Sequence, residues 1–599
     1  MVHVRSVMRL MPKALTLCAC LSLVASMVLT FSASAPIGSL ASATKPAVLR
    51  VGTYENIPGQ YQSIQAAVDA ANPGDVILVA PGDYKTTSSK APAAAPTTPA
   101  GVLITTPDIT LRGMSRNSVI VDGTRSGPPC STVTSDQNFG PSGPSGPLGL
   151  NGIMIYKAAG VSVENLTACN FLAGSSPGGS GNEIWWNGGA NSGQVFSGTG
   201  YWGEYLTATS TYFSGEKTAA EYGIFSSNWN GGTWNQTYAS NFNDSGYYIG
   251  ACRQQCNQTV DHAWAEYNAL GYSGSNAGGN LVVKNSQFDN NEDGFDTNSQ
   301  NGDNPPPQNG SCPNGGISPI THTHSCWVFM DNYVHNNNNP NVPTAGSAAA
   351  GPVGTGMSIS GGRNDTVMNN VFSDNNAWGT IFVPYPDSGP PCTGGTQLQA
   401  VCIFDESGDA LIGNQYSHNG SYGNPTNGDF AATNFEPGPT DCFSGNTEIG
   451  GGPVTSSPPD LQLLYPKCTG MTVPPDLNAL FTAEVACDSA AISIGPVPGS
   501  ALCPPGANYP RQTQVVMHPL PGATGLEDPS SANLPSMANP CQGVPANPWC
   551  PASGSSSGGQ AGTLAAGFSG SMGGRTMNWL QEAMATASGY QERRGIPGR

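Results

Sequence analysis

The chain has 599 residues, with 39 acidic against 21 basic side chains, a formal net charge of −18, 78 glycines and 51 prolines. Only 10% of residues are charged while 38% are hydrophobic, which excludes a disordered polar chain, since disorder by composition combines low hydrophobicity with high charge density. The acidic balance, with no basic stripe, also excludes a nucleic-acid partner.

At the start of the chain, Arg5, Arg9 and Lys13 precede an apolar run over residues 14–31, followed by small-residue sites at Ala33-Ser34-Ala35 and Ala41-Ser42-Ala43. This pattern predicts an export signal over residues 1–43. Cleavage is expected after Ala43, because cleavage after Ala35 would leave Pro36 first. The apolar run is also long enough to be retained as an anchor. The expected protein is secreted or at the cell surface, with no membrane association once the signal is removed. The segment holds three of the basic residues, so the remainder carries 18 basic against 39 acidic side chains. Of the 16 cysteines, 14 lie beyond the signal, an even number scattered without paired CxxC knuckles, which points to disulfides rather than zinc. Cys252 and Cys256 are close enough to clip one loop, and Cys312 with Cys326 would close a longer one.

Residues 61–71, YQSIQAAVDAA, place Ile64, Ala67, Val68 and Ala71 at helical spacing and stop at Asn72-Pro73-Gly74. The apolar strand DVILVA and the turn PGDY follow directly. The phrase SIQAAVDAANPGDVILVAPGDY resembles the opening of right-handed parallel β-helix proteins of the pectin-lyase-like superfamily. That resemblance implies a short helix capping the end of a solenoid whose open coil would otherwise expose core and unpaired strand edges. It spans roughly residues 50–445.

A repeat supports the same architecture from the residues themselves. Gly223, Gly246, Gly271 and Gly294 each open a short apolar phrase at intervals of 23, 25 and 23 residues, and Gly356 and Gly379 return at 23. Asn243, Asn268, Asn291 and Asn376 each stand three residues before their glycine, as expected if successive corners stack Asn on Asn. A period of this length, rich in Asn, Gly and short β-like segments, fits one coil of a parallel β-helix. The expected fold is therefore all-β: a right-handed parallel β-helix over residues 44–445, with an N-terminal capping helix. Residues 126–150, 297–323 and 336–354 read as excursions from one side of the stack that shape a ligand groove. From about residue 446 to 599 the repeat fades into a Pro-, Gly- and Ser-rich, cysteine-containing region, read as a cap or appended loop that ends in an amphipathic stretch at Met577, Leu580 and Met584.

One segment carries candidate chemistry. Asp289, Glu292, Asp293 and Asp296 fall within eight residues at a coil corner, and with Phe295 inward, Asp296 would face out. Such an oxygen-rich set suits Ca2+, and EDGFD is similar to the acidic calcium segment of some β-helical pectate lyases. The resemblance implies a secreted, polysaccharide-active protein, and at its most specific a calcium-dependent lyase that eliminates across uronate sugars, with a bridging cation offsetting the chain's negative charge. The base would be Arg363, in SISGGRNDT, or Lys284, in LVVKNS. The same acids also read as solvated corner residues or a structural calcium site, and both cations as plain surface charges. Paired carboxylates among Asp289, Asp293, Asp296 and Asp331 would serve hydrolysis instead. His322 and His324 alternate in THTHS as a metal or acid/base pair or as ordinary loop residues. Trp185, Trp186 and Trp202 are candidates to stack on sugar rings of an extracellular polysaccharide, at least one of the adjacent pair pointing outward; as core fillers they would be unremarkable. The alternative to an enzyme is a non-catalytic glycan-binding or surface structural β-helix.

Overall fold

The computed structural model describes residues 46–189, 198–250, 252, 256–301, 326–345, 348, 351–388, 391–399, 401–435, 437–467, 472–473, 476–493, 503–520 and 534–552. The expected signal, Cys312, His322, His324 and the stretch at residues 577–584 lie outside these residues.

Short strands pair in parallel with their equivalents one coil further on, the arrangement of a right-handed parallel β-helix. Eleven strands, from Ala100–Ile104 to Ser456–Ser457, form one continuous sheet, called here the front sheet. The other walls form a 19-stranded sheet in two rows. Nine-residue strands such as Gln258–Glu266 run through both rows, and further along each is split into two, as in Leu281–Lys284 and Gln287–Asp289.

The repeat glycines lie in register, because the residues following them pair from coil to coil: Ile224 with Tyr247, Tyr247 with Tyr272, Tyr272 with Phe295, Phe295 with Met357. These five side chains point inward and are buried, with Tyr272 stacked on Phe295 at 4.2 Å. Glycine is required before them because the next coil's amide lies against the chain. A Cβ at Gly246 would come within 2.9 Å of Asn268 Nδ2, and one at Gly271 within 2.9 Å of Asn291 Nδ2.

Those amides belong to a ladder. Asn268, Asn291, Asn337, Asn375 and Asn419 stack in sequence, each Nδ2 donating to the Oδ1 of the next at 3.0–3.2 Å. A second ladder runs through Asn332, Asn370, Asn414 and Asn446 and ends on Gln462. Asn243 and Asn376 are not on the rungs. Phe242 holds the rung position above Asn268, its N–H donating to Asn268 Oδ1 at 3.0 Å, and Asn375 rather than Asn376 continues the stack. In those two coils one more residue separates corner from glycine.

At the N-terminal end, the helix Ile64–Ala70 begins at Ser63, whose hydroxyl accepts the Ala66 N–H, and buries Ile64, Ala67 and Val68 in the main core. At the other end the coils continue past residue 445 through Thr447–Glu448 and Ser456–Ser457, and the short helix Leu461–Leu464 inserts Leu461 into the core. Beyond it the chain turns back along the outside of the solenoid. The helix Ala479–Ser493 packs Phe481 against Trp378 of the front sheet. Thr513 and Gln514 donate to Asn341, His518 stacks on Tyr267, Pro535 O accepts from the buried Arg116, and Trp549 Nε1 donates to Ile57 O beside Tyr54. The C-terminal region is thus a strap, tying late coils to early ones.

Among the described residues, disulfides join Cys130–Cys169, Cys252–Cys256, Cys392–Cys402, Cys487–Cys503 and Cys541–Cys550, so the expected clip at Cys252 is present. Cys326 is also disulfide-bonded. Among the described residues, no helix is long and apolar enough to cross a membrane.

Candidate functional site on the front sheet

Outward-facing side chains of the front sheet stand two residues past each repeat glycine and stack in a column. Trp185 pairs with Phe225, Phe225 with Tyr248, Tyr248 with Ser273, Ser273 with Asp296, and Asp296 with Ser358. At one end, Trp185 stacks face to face on Phe225 at 4.9 Å, Phe225 meets Tyr248 edge-on at 4.9 Å, and Tyr222 closes the group. Trp185 is half-buried, its indole N–H donating to Ser227 Oγ at 2.9 Å. Four coils along, at the strand spacing of about 4.8 Å, comes the acidic end of the column.

There the hydroxyl of Ser358 lies between two carboxyls, 3.0 Å from Asp293 Oδ2 and 2.6 Å from Asp296 Oδ1. Ser360 Oγ at 3.0 Å and Asn298 Nδ2 at 3.2 Å also donate to Asp296. Asp293 is fully buried and accepts the Phe295 N–H at 3.2 Å, whereas Asp296 is only half-buried. Burial raises the pKa of both, and the charge of Asp296 adds to the effect on Asp293, which is pushed well above the usual carboxylate range. On Asp296 the three donors oppose the rise. The result is a buried carboxyl whose charged form is disfavoured, set behind a half-buried one, with a hydroxyl joining them.

The remaining sequence-predicted residues are distributed elsewhere. Glu292 is fully buried at the corner and faces Asp488 of the strap helix, and neither carboxyl oxygen accepts a hydrogen bond. Asp289 belongs to another wall of the solenoid, where it accepts from Trp264 Nε1 at 2.7 Å and from Asn290 Nδ2 at 2.7 Å. Among the described residues no three Asp, Glu, His or Cys side chains converge as a metal site would require. The four-residue donor set of Asp289, Glu292, Asp293 and Asp296 therefore does not fit Ca2+ as one site, because Asp293 and Asp296 meet on Ser358 while Asp289 and Glu292 are turned away from them.

The expected bases are also displaced. Lys284 lies on the 19-stranded sheet, 3.3 Å from Asp261 Oδ2, as an outward lysine in a surface pair. Arg363 follows the front-sheet strand Thr355–Ser360 into the next corner, donates from Nε to Asp405 O at 2.9 Å, and faces Asp409 rather than Asp293. Of the tryptophans, Trp186 is not a sugar platform: its side chain points inward and is fully buried, stacked on Tyr201 at 4.7 Å. Trp202 is 39% exposed but on the 19-stranded sheet, next to Glu204, away from Trp185. Sequence reading missed Phe225, Tyr248, Ser358 and Ser360, although counting two residues on from each repeat glycine reaches the first three.

No protein-family model matches the chain, and no curated protein matches it. Among solved structures it is similar to the A-module of mannuronan C-5 epimerase AlgE4 from Azotobacter vinelandii, at 12% identity over 64% of this chain and 90% of that chain, with a TM-score of 0.39. The AlgE6 A-module from the same organism matches at 13% identity, 66% and 92% coverage and a TM-score of 0.38. Pectate lyase Pel9A matches at 14% identity, 69% and 77% coverage and a TM-score of 0.34.

Proposed function

We propose that the front face seats an extended polysaccharide outside the cell and acts on it by acid/base chemistry at Asp296. The observation that carries this reading is the column from Trp185 to the Asp296, Ser358 and Asp293 group, in which Trp185 and Asp296 are half-buried and Phe225, Tyr248, Ser273 and Ser358 are buried. Aromatic faces suit pyranose rings, and coils repeating every ~4.8 Å present one outward position per sugar-sized step. Ser358 joins the two carboxyls, with Asp296 the half-buried one and Asp293 fully buried behind it. Asp296 would contact the substrate, and Asp293 would exchange a proton with it through Ser358. Calcium-assisted elimination is a weaker reading, since neither the cation's ligands nor a cationic base meet on this face. The disulfides support an oxidising compartment.

A panel of neutral and uronate polysaccharides, assayed for new reducing ends and for unsaturated products with calcium or chelator, tests the proposal. New reducing ends without unsaturation, lost in Asp296→Asn, are expected. Calcium-dependent unsaturated product would instead restore elimination. The second reading, glycan binding without chemistry, is favoured by the complete burial of Asp293, and would be indicated by retained binding with no product from any substrate.

A further inference from the structure

At the C-terminal end of the solenoid, away from the Asp296 column, a small solvent-open cleft is lined by Glu406, Thr433, Asn434, Asp441, Phe443 and Tyr465, among others. Its acids are crowded for a structural reason. Asp365, Asp409 and Asp441 stack at one corner as the asparagines do elsewhere, the Asp365 N–H donating to Asp409 Oδ1 at 2.7 Å and the Asp409 N–H to Asp441 Oδ1 at 2.9 Å. An Asn rung also donates from Nδ2 to the preceding coil, whereas an Asp rung carries there a second oxygen that needs a donor of its own. Asp409 Oδ2 is buried with no partner. Glu406 lines the cleft, is 1% exposed, and neither of its carboxyl oxygens accepts a hydrogen bond. Asp476 adds a further acid to the wall. Arg363 faces Asp405 and Asp409 but is not part of the lining. A fully buried carboxyl with no donor, aimed into a cleft, costs several kcal/mol if ionised and unpaired.

We propose that this cleft binds a small organic cation carrying a primary ammonium group, seated between Glu406 and Asp441 with its carbon frame against the half-buried Tyr465. A bare metal ion is disfavoured, since no three carboxyls among the described residues come together at coordination distance. Three ammonium protons match acceptors spread around a cleft, and aromatic rings attract cations. Two sources share this chemistry, an amino sugar and an aliphatic polyamine. Burial and neighbouring acids raise Glu406 well above its usual range and Asp441 to about 7, so binding must expel protons and tightens as pH rises.

Calorimetric titration of the full chain with glucosamine, N-acetylglucosamine, spermidine and CaCl2 at pH 5.5 and 8 tests the assignment. Spermidine, charged at both pH values, or glucosamine, whose weakly basic amine is fully charged only at pH 5.5, should bind, each identifying its source, with proton release and, for spermidine, at least ~10-fold tighter at pH 8, while N-acetylglucosamine, which lacks the charge, should not. Glu406→Gln, which removes a buried acid and should fold at least as stably as the parent, should abolish the heat. The assignment is overturned if neither amine binds, if Glu406→Gln binds equally well, or if calcium alone binds.

Discussion

Replacing Asn370 by alanine removes the middle rung of the second ladder. Asn370 is fully buried, its Oδ1 accepts both the N–H of Asn332 at 2.9 Å and the Nδ2 of Asn332 at 3.0 Å, and its own Nδ2 donates to Phe329 O at 3.0 Å and Asn414 Oδ1 at 2.9 Å. Asn414 Oδ1 keeps a partner after truncation, the Asn370 backbone N–H at 2.9 Å. The backbone N–H of Asn332, itself 1% exposed, loses its acceptor, while Asn332 Nδ2 loses one of two bonds and keeps Val283 O at 3.1 Å, and the carbonyl of the fully buried Phe329 loses the Nδ2 donor. An orphaned buried group costs about 1–3 kcal/mol and each further lost bond about 0.5–1.5 kcal/mol, so allowing for relaxation and non-additivity the expected loss is about 2–4 kcal/mol. Urea unfolding should show a lower midpoint at unchanged slope, and hydrogen exchange should locate the loss in the Asn332 and Asn370 coils. Ser89→Ala, at an exposed position, is the control. Asn370→Asp adds a second arm: a protonated carboxyl supplies an O–H donor, so this variant should recover stability below about pH 4 and lose it above. The reasoning is refuted if Asn370→Ala unfolds within ~1 kcal/mol of the Ser89 control.

Asp296→Asn should lower turnover at least ~100-fold while leaving the unfolding midpoint near that of the parent, read by reducing-end release alongside urea unfolding; a variant with parental turnover would remove Asp296 from the chemistry. Trp185→Ala should weaken polysaccharide affinity about tenfold in affinity electrophoresis, and Trp186→Ala should instead destabilise by about 3–5 kcal/mol, as loss of a core ring does. Trp549→Ala removes the Nε1 bond to Ile57 O, the Tyr54 contact and the ring beneath Arg50, so limited proteolysis should cut the strap near residues 541–552 sooner than in the parent. Stability should fall as pH rises from about 5 to 8. Glu221, raised to about 8, and Asp441, raised to about 7, exceed their unfolded values, so the stability their protonated forms contribute is complete below the unfolded pKa and is lost through the folded one. Thermal unfolding midpoints that climb between pH 5 and 8 would contradict the burial of these acids.

The coil repeat was legible because solenoid geometry is local in sequence: a corner, an inward aromatic and a tight glycine recur whenever the chain completes a turn. The same locality misplaced two rungs. Asn243 and Asn376 keep constant distance from their glycines, but the ladder keeps constant position in space, and a corner lengthened by one residue moves Phe242 and Asn375 onto the rung. The strap was not legible at all, because its contacts, such as Trp549 with Ile57 across 492 residues, follow no period.

The candidate site shows the same division. Four acids within eight residues look like a ligand set, yet closeness along a strand opposes closeness of side chains, since neighbours alternate faces and a corner redirects them again. Asp289 and Glu292 are lost to the site in this way. What brings carboxyl chemistry together is register across coils: Ser358 is 62 residues from Asp296 in sequence because a long excursion intervenes, but it occupies the same outward position one coil on. In a parallel β-helix the unit of functional reading is therefore the column rather than the segment. Counted as columns, the cations Lys284 and Arg363 fall outside the front face that carries Trp185 and Asp296, and hydroxyls fall inside it. That arrangement favours proton transfer between carboxyls over a cation-assisted abstraction.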